Sequence, residues 1–381
     1  MIDPESHSKL RSEIETRMAE DRKLLDALRK EVRPLRDRTR RIQPRTTTSI
    51  SLVGTDGGNN RLQFDPFLVQ LIRVVDSSNN EYCLEAITPT TTVSGLSAKQ
   101  FGNTGEPQTP LGKMMRSLSV TDLTKLSHMI RSNEGDRPTS PSWIQVYREL
   151  VEWAVLFSVI TEKDFGTDTL IVYDGLLRTK VFAGDLFKTY RQHLADAIDS
   201  IYRKSRRRIY LAGVAKHSKV LDRYRLAMML EGVMNTDYPA YVEVPRELEE
   251  QAYVWSEYAR GDDSEMPGSE INKFVAGKMF FVKFGRGRRD PIWPVDVYLP
   301  QVTEAQTILS YMLADAVNGF PVPLYPQCLQ KAHENAALVD FDLDVLQDEI
   351  FEGIRHALGT DASRLDEFRF QDSDPSQRRY R

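Results

Sequence analysis

The stretch Thr169-Leu170-Ile171-Val172-Tyr173-Asp174-Gly175 decides the fold class of this chain. Its apolar run does not alternate with polar residues, which is typical of a strand buried on both faces of a sheet. Amphipathic helical patterns lie on both sides of it, one starting at Ser142 and one around Leu186 to Arg203. We therefore predict an α/β fold in which a mixed sheet is flanked by helices.

A second candidate strand upstream also ends at an aspartate and a glycine. Ser49 to Thr55 predicts a strand, and Asp56 to Asn60 has the composition of a turn. Two more predicted strands complete an antiparallel meander, at Phe67 to Asp76 and Glu81 to Ile87. Three antiparallel strands, a helix and then a strand beside the first bring Asp56 and Asp174 to neighbouring strand ends.

Two carboxylates at one edge of a sheet favour metal chemistry. Close carboxylates raise each other's pKa unless a cation lets both stay ionised. Oxygen ligands favour Mg²⁺ or Mn²⁺ over zinc. Two such ions about 3.5–4 Å apart activate a water and stabilise the leaving oxygen in phosphodiester hydrolysis. We expect a third carboxylate from Glu149 or Glu152 on the helix after Ser142, and periodicity favours Glu152 only slightly.

Basic residues flank the next predicted strand, Ile209 to Ala215. Lys216 follows it and is a candidate to contact a scissile phosphate, although a solvated strand end explains it equally well. Four cations precede the strand and are expected to hold a nucleic-acid backbone nearby: Lys204, Arg206, Arg207 and Arg208. A solvated helix end, where cations suit the helix dipole, is the alternative for this run.

Two later residues have open roles. His333 on a predicted helix is either a proton donor to the leaving oxygen or a packed or surface histidine. Asp296 lies between Val295 and Val297 in a predicted strand and points to the opposite face from them. It is either a further metal ligand or a polar outer residue.

The chain divides into three predicted segments. Residues 1–45 hold an amphipathic helix from Ile14, expected to end near Arg33 because Pro34 follows, and an arginine-rich connector. Three interpretations of that helix are open: it packs on its own domain, it pairs with a second subunit or partner, or it contacts nucleic acid. Residues 46–340 form the main domain, with a predicted loop at 88–141 and an insertion near 235–270. Residues 341–381 form a helix and a polar tail.

Composition excludes several classes of protein. The 40% hydrophobic and 28% charged residues predict a globular chain. A net charge of −4 does not indicate a strongly basic nucleic-acid binder, so local charge decides. Cys83 and Cys328 stand alone, which disfavours a disulfide framework and a structural zinc. Without a secretory pattern or a long apolar run, we expect a cytoplasmic protein with no membrane contact.

Five motifs in order resemble those of the NurA nucleases. They are Val-Gly-Thr-Asp-Gly-Gly at 53–58, Arg-Glu-Leu-Val-Glu-Trp at 148–153, Ile-Val-Tyr-Asp-Gly-Leu-Leu at 171–177, Leu-Ala-Gly-Val-Ala-Lys at 211–216, and Gly-Phe-Pro-Val-Pro-Leu with Ala-His-Glu-Asn-Ala at 319–336. The resemblance covers most of residues 45–340. It departs from the family at Ala215, where a serine before the lysine is common.

The resemblance implies an RNase H-like core, a homodimer around a DNA channel, and Mn²⁺-dependent cleavage of single-stranded DNA with 5′-to-3′ resection of duplex ends. It also implies a hexameric HerA-type ATPase partner, in DNA break repair or defence against foreign DNA. Five positions match the family's functional residues: Asp56, Glu152 (or Glu149) and Asp174 as metal ligands, Lys216 as the strand-end lysine, and His333 as the late histidine.

Two other functions compete. An actin-like ATPase or kinase needs a second meander beside the one at 49–87, and the sequence predicts none. A non-catalytic DNA-binding adaptor of a translocase needs only the basic segments, with the acids structural.

Overall fold

The computed structural model describes residues 3–45, 51–64, 67–88, 90–139, 142–253, 273–337 and 340–360. The strands in these residues are β1 (Arg40–Arg41), β2 (Ser51–Phe64), β3 (Phe67–Asp76), β4 (Glu81–Ile87), β5 (Thr169–Asp174), β6 (Ile209–Val214), β7 (Ala240–Glu243), β8 (Gly277–Lys283) and β9 (Trp293–Tyr298). The helices are α1 (Pro4–Arg38), α2 (Val93–Lys99), α3 (Pro110–Ser117), α4 (Leu123–Leu126), α5 (Trp143–Glu162), α6 (Leu186–Ser205), α7 (Lys219–Leu230), α8 (Arg246–Ala252), α9 (Ala305–Ala316), α10 (Gln327–Ala336) and α11 (Asp340–Leu358).

The described strands form one mixed sheet of nine, in the order β1-β7-β8-β9-β6-β5-β2-β3-β4. β2, β3 and β4 are an antiparallel meander, and β5 lies parallel to β2 on its other side. β6 continues the parallel set, and β9, β8, β7 and β1 extend it in antiparallel fashion. The predicted fold class, and the placement of the later strand beside the first, are confirmed.

Helices cover both faces of the sheet, as the apolar sequence of β5 predicts. On one face Ile171 and Tyr173 pack into a core with the buried side of α5. On the other face Leu170 and Val172 pack into a second core with α9 and the start of α10. Both faces of β5 are buried in these cores. Asp174, which ends the strand, is therefore its first residue that can reach solvent.

The predicted turn at 56–60 is wrong. β2 continues through these residues, and its ladder with β3 runs from Thr55 opposite Asp76 to Phe64 opposite Phe67. Local glycine and asparagine content favours a turn, but pairing with the β-branched residues of β3 satisfies the backbone of β2 over the longer range. Asp56 therefore lies inside a strand.

α1 does not end at Arg33, as expected, but continues through Pro34 to Arg38. A proline inside a helix removes one backbone hydrogen bond. Here Val32 and Leu35 are fully buried in a core with α7, on either side of the proline. Arg29 and Arg33 also hold Glu231, with N···O distances of 2.7 and 2.9 Å. These tertiary contacts offset the local cost.

The described residues of the 88–141 region, which was expected to be a loop, form three short helices that we call the helical cap. α2, α3 and α4 lie within it, and Leu96, Met114, Leu123 and Leu126 are buried in the same core as α5. The apolar residues come in groups too short to give a clear helical period. The surrounding Thr, Gly and Pro residues therefore dominated the sequence pattern, and the short helices were not predicted.

Within the segment expected to be an insertion near 235–270, β7 pairs with β8 in the main sheet, and α8 follows β7. Residues 254–272 lie outside the described residues, and so does the tail expected from Asp361. The proposed domain boundaries stay predictions. Of the helices that the structure describes, none combines the length and the hydropathy that spanning a bilayer requires.

Candidate active site

The parallel register brings the two strand-end aspartates to one edge of the sheet. The ladder between β2 and β5 ends with Thr55 opposite Tyr173, so the backbones of Asp56 and Asp174 follow at neighbouring positions. The side chain of Asp56 lies outside the described part of the chain. We call this edge, where β5 and β6 end, the carboxyl edge.

Asp174 is held by two donors from distant parts of the sequence. The Lys216 ammonium donates to Oδ2 at 3.2 Å, and the Tyr325 hydroxyl donates to Oδ1 at 3.2 Å. The Asp174 side chain is 14% exposed and that of Lys216 is 45% exposed, so the ion pair opens to solvent on the lysine side. Lys216 therefore lies beside the aspartate, as the sequence led us to expect, with its ammonium free to approach an anion.

Tyr325 is a site residue that the sequence analysis missed. Its ring lies under the Lys216 ammonium, at 5.8 Å, and packs edge-on against the Trp293 ring, at 4.9 Å. Trp293 Nε1 donates to the carbonyl of Leu324 at 2.6 Å, which fixes the backbone beside Tyr325. The only signal in the sequence is that Tyr325 follows the Gly-Phe-Pro-Val-Pro-Leu motif at 319–324.

Glu152 on α5 contacts Tyr173, the residue before Asp174. The Tyr173 hydroxyl donates to Glu152 Oε2 at 3.3 Å, and Arg148 Nε lies 3.1 Å from Oε1. Burial raises the pKa of Tyr173 well above its ordinary range, and the charge of Glu152 adds to the rise. The phenol therefore stays protonated and remains a donor to Glu152, next to Asp174 in the chain.

Glu149 is in a different environment. The Thr179 hydroxyl donates to its Oε1, and burial raises the pKa of Glu149 in spite of that bond. Burial disfavours the charged form of a carboxyl group, whereas a metal ligand must be ionised. The geometry thus favours Glu152 over Glu149 as the third carboxylate, and the assignment stays a prediction.

Asp296 is neither of the two alternatives that the sequence left open. It is fully buried and accepts two hydrogen bonds from Arg178, at 2.9 and 2.6 Å. Arg178 also donates to the buried Glu249 at 2.5 Å, and Arg246 donates to the same carboxylate at 2.8 Å. Burial alone lowers the pKa of Arg178, but the two carboxylates outweigh it and raise that pKa well above normal. This buried ion cluster braces the segment that follows Asp174.

The basic run at 204–208 lies at the other end of β6. It precedes Ile209, whereas Lys216 follows Val214, and six strand residues separate the two by about 20 Å. Within one chain the run is therefore not near Lys216, contrary to expectation. Part of its charge bonds to the protein: Arg208 pairs with Glu304 at 2.8 Å and Arg207 donates to the Phe165 carbonyl. DNA binding by Lys204, Arg206, Arg207 and Arg208 stays a prediction.

His333 is exposed in the last turn of α10. Its helix crosses β2 closely, since a Cβ at Gly54 would lie 2.5 Å from the Cys328 carbonyl oxygen. The far end of α10 reaches β3, where Asn335 Nδ2 donates to the Asp76 carbonyl at 3.3 Å. His333 therefore lies on the helix that covers the β2 side of the carboxyl edge, and its role stays a prediction.

The carboxylates of Asp174 and Glu152 are of the chemical type that a hard divalent cation prefers. Asp174 and Glu152 offer carboxylate oxygens, which Mg²⁺ and Mn²⁺ prefer. The bonds from Lys216 and Tyr325 fix the orientation of the Asp174 carboxylate. Among the described residues no three His, Cys, Asp or Glu side chains converge on one metal position, and Asp56 is not among those side chains.

Comparisons with known proteins give similarity of fold over nearly the whole chain. No protein-family model matches the chain, and no curated protein matches it by sequence. The crystal structure of the NurA nuclease from Sulfolobus solfataricus is similar with a TM-score of 0.47 at 13% identity, covering 94% of this chain and 98% of that one. A second NurA structure has a TM-score of 0.41 at 12% identity, covering 97% and 99%. A NurA structure bound to dAMP and manganese has a TM-score of 0.40 at 12% identity, covering 87% and 94%.

Proposed function

We propose that this protein is a metal-dependent DNA nuclease that hydrolyses phosphodiester bonds at the carboxyl edge. The observation that carries the proposal is the convergence of Lys216 and Tyr325 on Asp174, one residue past the point where β5 and β2 stop pairing. An aspartate in an ordinary surface turn is solvated and needs neither a lysine nor a buried tyrosine as a hydrogen-bond donor. The motif resemblance to NurA nucleases supports the DNA substrate, with single-strand endonuclease and 5′-to-3′ exonuclease activity.

The residues that we propose as metal ligands are Asp56, Asp174 and Glu152. Mn²⁺, or Mg²⁺ in its place, supplies a Lewis acid that polarises the phosphodiester and lowers the pKa of water. Tyr325 and Tyr173 orient the carboxylates of Asp174 and Glu152 through their hydroxyl groups. Preorganised oxygens need little rearrangement during the reaction, which is how such sites lower the barrier.

Lys216 has the proposed role of binding the scissile phosphate. Its ammonium keeps a bond to Asp174 and is almost half exposed, so an anionic oxygen can approach it from solvent. A cation at that position stabilises the charge that develops on the phosphate in the transition state. His333 is proposed as the proton donor to the leaving oxygen, on the evidence of the motif resemblance alone.

Cleavage of a labelled single-stranded oligonucleotide in Mn²⁺ tests the nuclease proposal. We expect Asp174→Asn and Asp56→Asn to reduce the cleavage rate by about 10³-fold or more, with binding of the oligonucleotide retained because phosphate contacts carry it. Asp199→Asn is the matched control, because Asp199 is an exposed carboxylate on α6. Wild-type cleavage rates in the Asp174 variant would refute the proposal.

A homodimer and a HerA-type hexameric translocase are the proposed partners. The N-terminal half of α1 supports a protein contact, since Leu10, Ile14 and Met18 are about half exposed or more and follow one another at four-residue spacing. Deleting residues 1–24 removes this stripe and leaves the buried Val32 and Leu35 in place. We expect light scattering to show a smaller oligomer, or a pull-down to show loss of the translocase. Retention of both mass and partner would contradict a role for α1.

A further inference from the structure

The loop between β8 and β9 lies at the carboxyl edge, although it is far from Asp174 in the sequence. β9 runs antiparallel to β6, with Val295 opposite Val214, so β9 begins where β6 ends. The Ala215 amide donates to the Pro294 carbonyl at 3.2 Å, one residue before Lys216. The loop at 284–292 therefore emerges on the same edge as Lys216.

Three arginines of this loop face solvent: Arg286, Arg288 and Arg289. Among the residues that the structure describes, none of the three has an ion pair with a carboxylate. An arginine left without a carboxylate keeps its five donors for a ligand, and its planar fork matches a phosphate group. The chain as a whole carries a net charge of −4, so this is a local cationic surface on an acidic protein.

The acidic residue of the loop is bound to backbone rather than to the arginines. Asp290 Oδ2 accepts the Gly287 amide at 2.6 Å, and a Cβ at Gly285 would lie only 1.8 Å from that oxygen. The buried Lys283 ammonium donates to the Gly287 carbonyl at 3.1 Å and to the Thr236 carbonyl at 2.5 Å. These bonds hold the loop in shape with its guanidinium groups outward.

The loop is coupled to Asp174 through two aromatic residues. Trp293, at the start of β9, packs on Tyr325, whose hydroxyl donates to Asp174. The first residue of β9, just after the loop, is thus linked to the Asp174 carboxylate through Tyr325. Because the edge is continuous, one extended polyanion can contact the loop and Lys216 together.

We infer that the loop of Arg286, Arg288 and Arg289 binds the phosphodiester backbone of single-stranded DNA that runs along the carboxyl edge to Asp174. The inference rests on the proposed nuclease function and deepens it by naming where the strand is held. Phosphate contacts of this kind fix the position of a strand and carry no sequence preference. The loop after β8 lies at the same edge as Asp174, whereas the run before β6 lies at the opposite edge.

Binding of the full-length protein to labelled oligothymidylate of about 20 nucleotides in EDTA tests the inference, because cleavage cannot interfere. We expect R286Q/R288Q/R289Q to raise the dissociation constant at least about tenfold at moderate salt. Each lost phosphate contact reduces the slope of log affinity against log salt by about 0.7, so the slope should fall by about 2. The arginine-to-lysine triple variant should recover most of the affinity.

The matched control is K125Q/R131Q/R137Q, which removes the same charge from exposed positions of the helical cap. Its affinity should change less than about twofold. Equal losses in both triple variants, or no loss in the loop variant, would overturn the inference, and so would equally tight binding of polyglutamate by the wild-type protein. If the triple variant unfolds in circular dichroism, R288Q/R289Q is compared in the same way.

The outcome is separable from that of the nuclease proposal. Loop-dependent binding in EDTA without any cleavage in Mn²⁺ would refute the nuclease and leave the binding surface standing. If cleavage requires Asp174 but the loop variant binds DNA as tightly as the wild type, the inference is refuted and the nuclease proposal is supported.

Discussion

The two ends of β6 carry basic residues of different kinds. At the end where the strand begins, Arg207 and Arg208 bond to the Phe165 carbonyl and to Glu304, and Arg206 lies over the Tyr202 ring. At the end where it stops, Lys216 pairs with Asp174, and the loop of Arg286, Arg288 and Arg289 extends the cationic surface. The first cluster is partly bonded to the protein, whereas the three arginines of the loop have no carboxylate partner among the described residues.

Strand direction decides which of these charges can act together on one ligand. β5 and β6 are parallel, so residues that follow them share one edge and residues that precede them share the other. β9 is antiparallel to β6, so it is the residues before β9 that join the carboxyl edge. Nearness in sequence to Lys216 therefore misleads for the 204–208 run, and distance in sequence misleads for the loop.

Arg178→Met should give the largest change in stability, because it leaves Asp296 and Glu249 buried without their shared cation. Removing one partner of a buried ion pair costs about 3–5 kcal/mol. We expect a loss of that size in the free energy of unfolding, measured in urea. A loss under about 1 kcal/mol would show that the carboxyl edge is not braced by buried ions.

Lys216→Met should give the next largest effect, on the rate of cleavage. Removing a donor aimed at developing charge typically costs about 10²–10³ in rate, or about 2.7–4 kcal/mol. The change should appear in kcat from single-turnover kinetics in Mn²⁺, with a stability close to that of the wild type. Lys125→Met, an exposed lysine of the helical cap, is the control. Equal rates for the two variants would separate Lys216 from the reaction.

Tyr325→Phe should have a smaller effect that is confined to the carboxyl edge. The substitution removes the hydroxyl that donates to Asp174 and keeps the ring that packs on Trp293. A hydrogen bond to a charged group contributes about 1.5–3 kcal/mol, so we expect about a 10- to 100-fold fall in rate and a higher Mn²⁺ concentration for half-maximal activity. A fall in rate without a shift in the Mn²⁺ requirement would contradict a role in orienting the carboxylate.

Much of the sheet could be predicted from the sequence, because buried strands and amphipathic helices leave periodic patterns. The apolar run at 169–173 and the meander gave the order of the central strands, and with it the approach of the Asp56 and Asp174 backbones. Where local signals competed with tertiary contacts, the local signals failed. Pro34 and the glycines at 57–58 favour chain breaks, yet a core with α7 and a ladder with β3 continue the helix and the strand.

The residues of the candidate site were harder to predict from the sequence, because those that support Asp174 follow no periodic pattern. Tyr325 and Trp293 lie more than a hundred residues after Asp174, and only the folded topology brings them to it. Asp296 shows the converse. An acid between two valines in a strand has the pattern of an outward-facing residue or a ligand, and the buried Arg178 that makes it structural comes from a distant loop.

The smallest effect should come from the edge where β6 begins. Arg208 and Glu304 are paired at 2.8 Å, but their side chains are 49% and 37% exposed. Exposed pairs contribute about 0.2–1 kcal/mol, and salt screens them. A double-mutant cycle with Arg208→Gln and Glu304→Gln should therefore give a coupling energy below about 1 kcal/mol that declines further in molar salt. A coupling of about 3 kcal/mol, unaffected by salt, would contradict the expectation that solvent weakens this pair.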